Sequence, residues 1–343
     1  MSHSTVPRSG AEADTTATTP ASGDATGSRE RRRAAGPGLR LRFGRDRVLL
    51  LMTLPAVGLL LLFNYLPILG NIVAFEDYDP YVSDNGVVSV LHSPWVGLAN
   101  FRQIFQDHAF WNAMSNTLVL FVLQLVLYFP VPILLALLIN SVVRPRVRAV
   151  AQAVLYLPHF FSWVLVIAVF QQLLGGAGLL SQLLRRHGFD GLDIMTDPGT
   201  FRFLVTAQSV WKDAGWGIIV FLAALAAVSP DLYEAAAMDG AGRRRRMWHV
   251  TLPALRPVIA LLLVLRVGDA LTVGFEQILL QRDAVGPGAS EVLDTFVWWN
   301  GVRNQDFGYA AAAGLVKGVV SIGLVLAANK VAHLMGEQGV YQK

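Results

Sequence analysis

The chain has 343 residues, of which 54% are hydrophobic and only 15% charged. That apolar excess is too large for a water-soluble fold of this length and excludes a soluble globular protein. The net charge of +4 gives no case for nucleic acid, because the arginines gather at the ends of apolar segments, and the lack of cysteine excludes disulfides, thiol catalysis and thiolate metal sites.

Residues 1–28 are mostly Ser, Thr, Ala, Gly and Asp and are expected to be disordered. Eight arginines lie from Arg29 to Arg47, directly ahead of the apolar run VLLLMTLPAVGLLLLFNYLPILG. A cleaved signal peptide starts near the N-terminus and ends in small residues, and this run does neither. It reads as an uncleaved first span over 47–72, with the basic flank of a tail over 1–46 held in the cytoplasm. Residues 73–115 are acidic and aromatic (FEDYDPY, SPWVGLANF) and suit an external loop with an interfacial segment.

Five further apolar stretches are near 20 residues or longer, enough for a helix to cross a bilayer. They are placed at 116–140, 149–174, 203–228, 255–280 and 308–333. The fold class is therefore all-α, a polytopic membrane protein with six transmembrane helices. Counted along the chain from Arg29, with Arg256 and Lys330 taken as span-end residues, the Lys and Arg flanking successive spans number eight, one, three, three, five, two and two. That alternation, blurred at the fourth segment, puts both termini in the cytoplasm, with 336–343 as a short cytoplasmic tail. Gly175, Gly176 and Gly178 read as a turn at a span end, and His159 beside Pro158 as a packing or interfacial group.

The loop 229–257 contains SPDLYEAAAMDGAGRRRRMWHVTLP. Asp231 with Glu234 fits a capping box, and Ser229-Pro230 offers another cap with Pro at the first helical position. Ala235, Ala236 and Ala237 favour helix and leave a thin face; Gly240 and Gly242 stop it and permit positive φ. Arg243 to Arg246 hold the loop in the cytoplasm, and Pro253 and Pro257 fit the first turns of the next span.

This loop resembles the cytoplasmic motif of permease subunits of binding-protein-dependent ABC importers, with the MetI-like transmembrane domain. Glu234, Ala235, Ala236, Gly240, Val250, Leu252 and Pro253 match it in identity and spacing, except that Val250 stands where Ile is common. FNYLPILGNIVAFEDY, YLPHFFSWVLV and WKDAGWGIIVFLAAL look like the branch that takes up oligosaccharides and polysaccharide fragments, and the likeness runs from about 45 to 335, with 116–335 as the core permease domain. The resemblance implies a coupling helix over 231–242 that docks on an ATPase dimer, a second permease subunit as heterodimer partner, and an extracytoplasmic sugar-binding protein. It implies that ATP and Mg bind the partner ATPase, since this chain has no Gly-x-x-x-x-Gly-Lys-Ser/Thr phosphate loop.

Ionisable residues within spans are costly and are functional candidates. Span four carries Ser209, Trp211, Lys212, Asp213 and Trp216; span five carries Arg266, Asp269, Glu276 and Gln277; span six carries Lys317. In similar maltose-type permeases the sugar contacts come from the spans flanking the coupling loop, so the resemblance implies a substrate path at these positions of spans four and five. Arg266 and Asp269, three apart, could instead neutralise each other, and Glu276 and Lys317 could pair across helices. Lys212 and Asp213 point to different faces, so one needs a partner elsewhere. No His and carboxylate cluster has metal-ligand spacing. A membrane-embedded enzyme acting on lipid-linked sugars and an ion-coupled transporter working alone are the competing readings. The first lacks paired acids in its loops; the second predicts uptake driven by an ion gradient. The intramembrane cations suit acidic oligosaccharides, although neutral ones also fit.

Overall fold

A computed structural model describes residues 47–190 and 192–334; the tail over 1–46 and the segment 336–343 lie outside the described residues. Two units are distinguished, 1–63 and 64–343. Among the described residues six helices are long and apolar enough to cross a membrane: Leu51–Phe75, His108–Asn140, Trp163–Arg186, Phe201–Ala226, Arg243–Gly268 and Phe307–Lys330, spans one to six. No strand is present among them, only an isolated antiparallel bridge between Glu76 and Trp95. In the first unit the helix Arg47–Leu60 exposes Leu51, Met52 and Leu54, the surface expected of a helix solvated by lipid.

Within 64–343 span four is the most enclosed. It packs through Ile218, Phe221 and Leu222 on Ala136 and Ile139 of span two and Leu255 of span five. Gly215 makes this possible on another side: a Cβ there would stand 1.8 Å from the Leu155 carbonyl oxygen. Before span four, Asp197 accepts from the Thr200 hydroxyl at 2.8 Å and from the Gly199 and Thr200 amides. Those bonds, the Thr200 hydroxyl first, hold its carboxyl below the usual range.

Prolines recur inside the spans, and at three of them the helix continues by one device, whereas Pro55 and Pro257 sit within plain α-helix. A proline cannot donate to the carbonyl four residues back, and its ring crowds that carbonyl. Pro67, Pro130 and Pro253 each follow a π turn, at Leu61–Tyr65, Gln124–Tyr128 and Met247–Thr251, centred on that fourth residue back. The wider turn bonds five residues apart, as from the Phe129 amide to the Gln124 carbonyl at 2.9 Å.

Span boundaries differ from the sequence reading in three places. Span two begins at His108, not 116, because the Asp107 side chain caps it by accepting from the Ala109 amide at 2.7 Å. The stretch 149–174 is not one helix. It runs as Pro145–Tyr156 and a 3-10 turn Leu157–Phe160, breaks at extended Phe161 and Ser162, and restarts as Trp163–Leu174. The glycines at 175–178 do turn the chain, with the Gly178 amide on the Gly175 carbonyl at 2.7 Å. Span five is displaced by twelve residues: it starts at Arg243, not 255, and ends at Gly268, so Pro253 and Pro257 lie well inside it. Residues after it turn at left-handed Gly274 (φ +56°) into the separate short helix Phe275–Leu279, which holds Glu276 and Gln277. Four further short helical segments reach Arg303 before span six begins at Phe307.

Candidate functional site

Two groups of residues stand out. The first is the loop between spans four and five. Pro230–Met238 is a helix capped by Ser229, whose hydroxyl accepts from the Asp231 amide at 3.3 Å, with Pro230 at the first position. The cap is thus Ser229 and not the Asp231/Glu234 capping box. Glu234 and Ala235 are exposed and Ala236 half-buried, so the thin alanine face is open to a partner. Gly240 takes φ +72° with nothing within 4 Å of a Cβ, while Gly242 sits at φ −66° and needs no glycine freedom. The helix is tied to span five by Tyr233, whose hydroxyl lies 3.2 Å from that of Thr251. Val250, Leu252 and Pro253 are half-buried in the π turn and the helical turn after it.

The second group is interior. The break at Phe161–Ser162 frees the His159 carbonyl, and buried Lys212 of span four donates to it at 2.8 Å. Non-helical backbone at membrane depth needs such a donor. Asp213 lies 2.9 Å from His159 Nδ1 and 3.5 Å from Lys212 Nζ, so the adjacent Lys212 and Asp213 converge on one partner rather than seeking two. The His159 ring stacks on Trp216 with centroids 4.5 Å apart, and Lys212 lies over Trp163 at 5.4 Å. Trp211 rests against Phe161 and Phe170, both from the same broken element. His159 is therefore a member of this cluster, more than a packing group.

Arg266 and Asp269, which could have neutralised each other, do not pair. Arg266 donates to the Gln124 side chain and lies over Tyr128 at 5.6 Å, with its buried Nε unpaired. Asp269 is the exposed residue that ends span five, beyond the helical face on which an i,i+3 pair would meet. The Glu276–Lys317 pair is likewise absent: Lys317 bonds Asp294, and Glu276 is exposed. Ser209 is buried and donates to Val205 and to Gln277, at 3.0 and 3.2 Å.

Around these residues lie further polar groups, of which the search for charges within spans brought out only Gln277, because the others are uncharged or lie outside the expected spans. Gln208, Gln277 and Gln281 are fully or almost fully buried and bond one another at 2.7 to 3.1 Å. Buried amides are tolerated only when paired in this way. Arg282 and Glu291 form a buried ion pair at 2.6 Å under Trp299. A cavity of about 690 Å³, mostly apolar, is bordered by Tyr78, Phe275, Trp298 and Asp294. No group of three metal-ligating side chains occurs among the described residues.

Comparison with known proteins bears on both groups. A family described as binding-protein-dependent transport system inner membrane component matches residues 128–334. The chain is 42% identical over 304 residues to the polygalacturonan/rhamnogalacturonan transport system permease protein of Bacillus subtilis, covering 88% of this chain and 93% of that one. It is 29% identical over 292 residues to the arabinooligosaccharides transport system permease protein of the same organism, covering 84% and 90%. A chain of the bacterial alginate ABC transporter, crystallised in complex with alginate pentasaccharide-bound periplasmic protein, superposes with TM-score 0.79 at 36% identity, covering 88% of this chain and 99% of its own length.

Proposed function

Because this chain belongs to the family of binding-protein-dependent transport system inner membrane components, and is thus a sugar ABC importer permease and not an enzyme, we propose that its substrates are acidic, uronate-bearing oligosaccharides. It is a multi-pass cell-membrane protein, and its family works with a partner ATPase and a substrate-binding protein. Membership removes the ion-coupled and lipid-linked enzyme readings, neither of which depends on a binding protein.

One observation carries the acidic reading. Arg266 sits half-buried on span five with a neutral amide and an aromatic ring as its neighbours and a free Nε. Such a guanidinium has no carboxylate paired with it, so its charge is left for a substrate carboxylate to meet. The relatives and the solved neighbour named for polygalacturonan, rhamnogalacturonan and alginate support the same class. The path would run through Ser209, Trp211, Lys212, Asp213, Trp216 and Arg266, with Trp216 offering a stacking face. Asp269 and Glu276 lie at its exposed end.

The helix Pro230–Met238 is the coupling helix in this reading, on the cytoplasmic side with both termini. It docks in an ATPase dimer that binds ATP and Mg, and a second, different permease completes the path. Glu234 faces the ATPase, Gly240 ends the docking unit, and Val250, Leu252 and Pro253 join it to span five. The substrate claim is tested in the complete importer with its binding protein by comparing ATPase stimulation by a uronate oligomer and by a neutral one. Arg266→Ala should lower the uronate response by about tenfold or more, the weight of one charge-assisted hydrogen bond, and leave a neutral sugar's response unchanged. Equal losses for both sugars would overturn it.

A further inference from the structure

Coupling uses the helix and its glycine stop, and leaves the four arginines at 243–246 without a role beyond topology. They form the first turn of span five. Arg243, Arg244 and Arg246, but not Arg245, line a hollow of about 660 Å³ whose remaining wall includes Leu137 and Asn140 of span two and Met247. No carboxylate lines it, and among the described residues none lies within ion-pair distance of these arginines. Arg243 is anchored by donating to the Ser141 carbonyl. Three guanidiniums gathered around one concavity repel one another, and an anion in it relieves that repulsion.

Location selects the anion. The walls come from the last turn of one membrane helix and the first turns of another, and the ends of helices long enough to span reach the headgroup region. Beside them Trp248, Leu138 and Val143 are 62%, 62% and 84% exposed, an aromatic and aliphatic fringe typical of the interface. Leu137 and Met247 give the hollow an apolar side suited to glycerol and the upper acyl chain. Basic pockets between membrane helices hold anionic headgroups. We propose that Arg243, Arg244 and Arg246 with Asn140 bind the phosphate group of an anionic phospholipid, in the leaflet that meets this loop. Tyr233 of the coupling helix borders the same hollow, so the lipid would sit directly against the element that moves. Only that last link rests on the coupling reading.

The test uses the complete importer in nanodiscs, with phosphatidylglycerol retention read by native mass spectrometry and therefore without reference to transport. Arg244→Ala with Arg246→Ala should weaken retention by about thirtyfold, following the contribution of two basic side chains at a membrane surface. Arg245→Ala should retain lipid like the native chain, because its side chain is outside the hollow. Equal loss in Arg245→Ala would reduce the effect to general attraction between a basic loop and an anionic surface and overturn the site. So would undiminished retention in the double variant. If the double variant fails to assemble, Asn140→Leu decides, since it leaves the charge intact: several-fold weaker retention supports the site and unchanged retention overturns it. Inorganic phosphate at millimolar concentration should not displace the lipid; if it does, the hollow is a soluble-anion site.

Discussion

The loop helix Pro230–Met238 and the interior cluster around His159 deploy polar residues in opposite ways. The helix makes its shape from neighbours: Ser229 caps it two residues away, Pro230 starts it and Gly240 stops it. Its alanine face is left open. The interior cluster makes its shape from residues far apart in sequence, His159 with Lys212 and Asp213, Gln124 with Arg266, Ser209 with Gln277, and leaves few of its polar atoms unbonded. A surface that must meet another protein can be encoded locally and read as a motif. A polar interior in lipid must satisfy its groups across helices, and its pairing is a property of the packed fold.

Glycines give the most direct way to break this contrast. Gly215→Ala drives a methyl into the Leu155 carbonyl oxygen, so span four must separate from Pro145–Tyr156 and carry Trp216 and Asp213 away from His159. The expected cost is about 3 kcal/mol or more, and thermal unfolding in detergent should show loss of a folded population. Gly240→Val meets open space and pays only for positive φ, about 1–2 kcal/mol. Its effect should appear as uncoupling, with uptake reduced about tenfold while basal ATPase persists; Gly242→Ala, at φ −66°, is the matched control with no effect. Unchanged uptake in Gly240→Val would remove the lever role. The smallest effect sharpens the rule on satisfying buried groups. Glu76 is buried with Oε2 unbonded, and burial pushes its carboxyl above the ordinary value of 4.5. The penalty for ionising it is absent below that value and complete above the raised one. Glu76→Gln should therefore stabilise the protein by about 1 kcal/mol at pH 8 and by less at pH 5 in paired melts.

Spans, loop helix and glycine stop were legible because each rests on composition or on contacts within one helical turn. Hydropathy did not show where span five lies. Arg243 to Arg246 looked too polar for it, yet they form its first turn, since a helix end at headgroup depth tolerates charge. At the other end the apolar run continues past Gly268, and only the turn at Gly274 separates Glu276 from the span. The partners of the intramembrane charges are hidden for a related reason. Spacing along one helix suggested Arg266 with Asp269, whereas Gln124, brought alongside by the π turn ahead of Pro130, takes the guanidinium. The break beside His159 had a visible cause in Pro158 but no visible consequence, because what fills it, Lys212, comes from another span.

The amide cluster has a consequence for biosynthesis. Gln208 and Ser209 belong to span four, but their partners Gln277 and Gln281 are made 68 to 73 residues later. At translation rates of 5–20 residues per second that is an interval of about 3 to 15 s. During it the Gln208 amide lacks both of its native partners, and the Ser209 hydroxyl has only the Val205 carbonyl. The side-chain pairing that shields these groups in lipid is thus completed only once the segment after span five has been made.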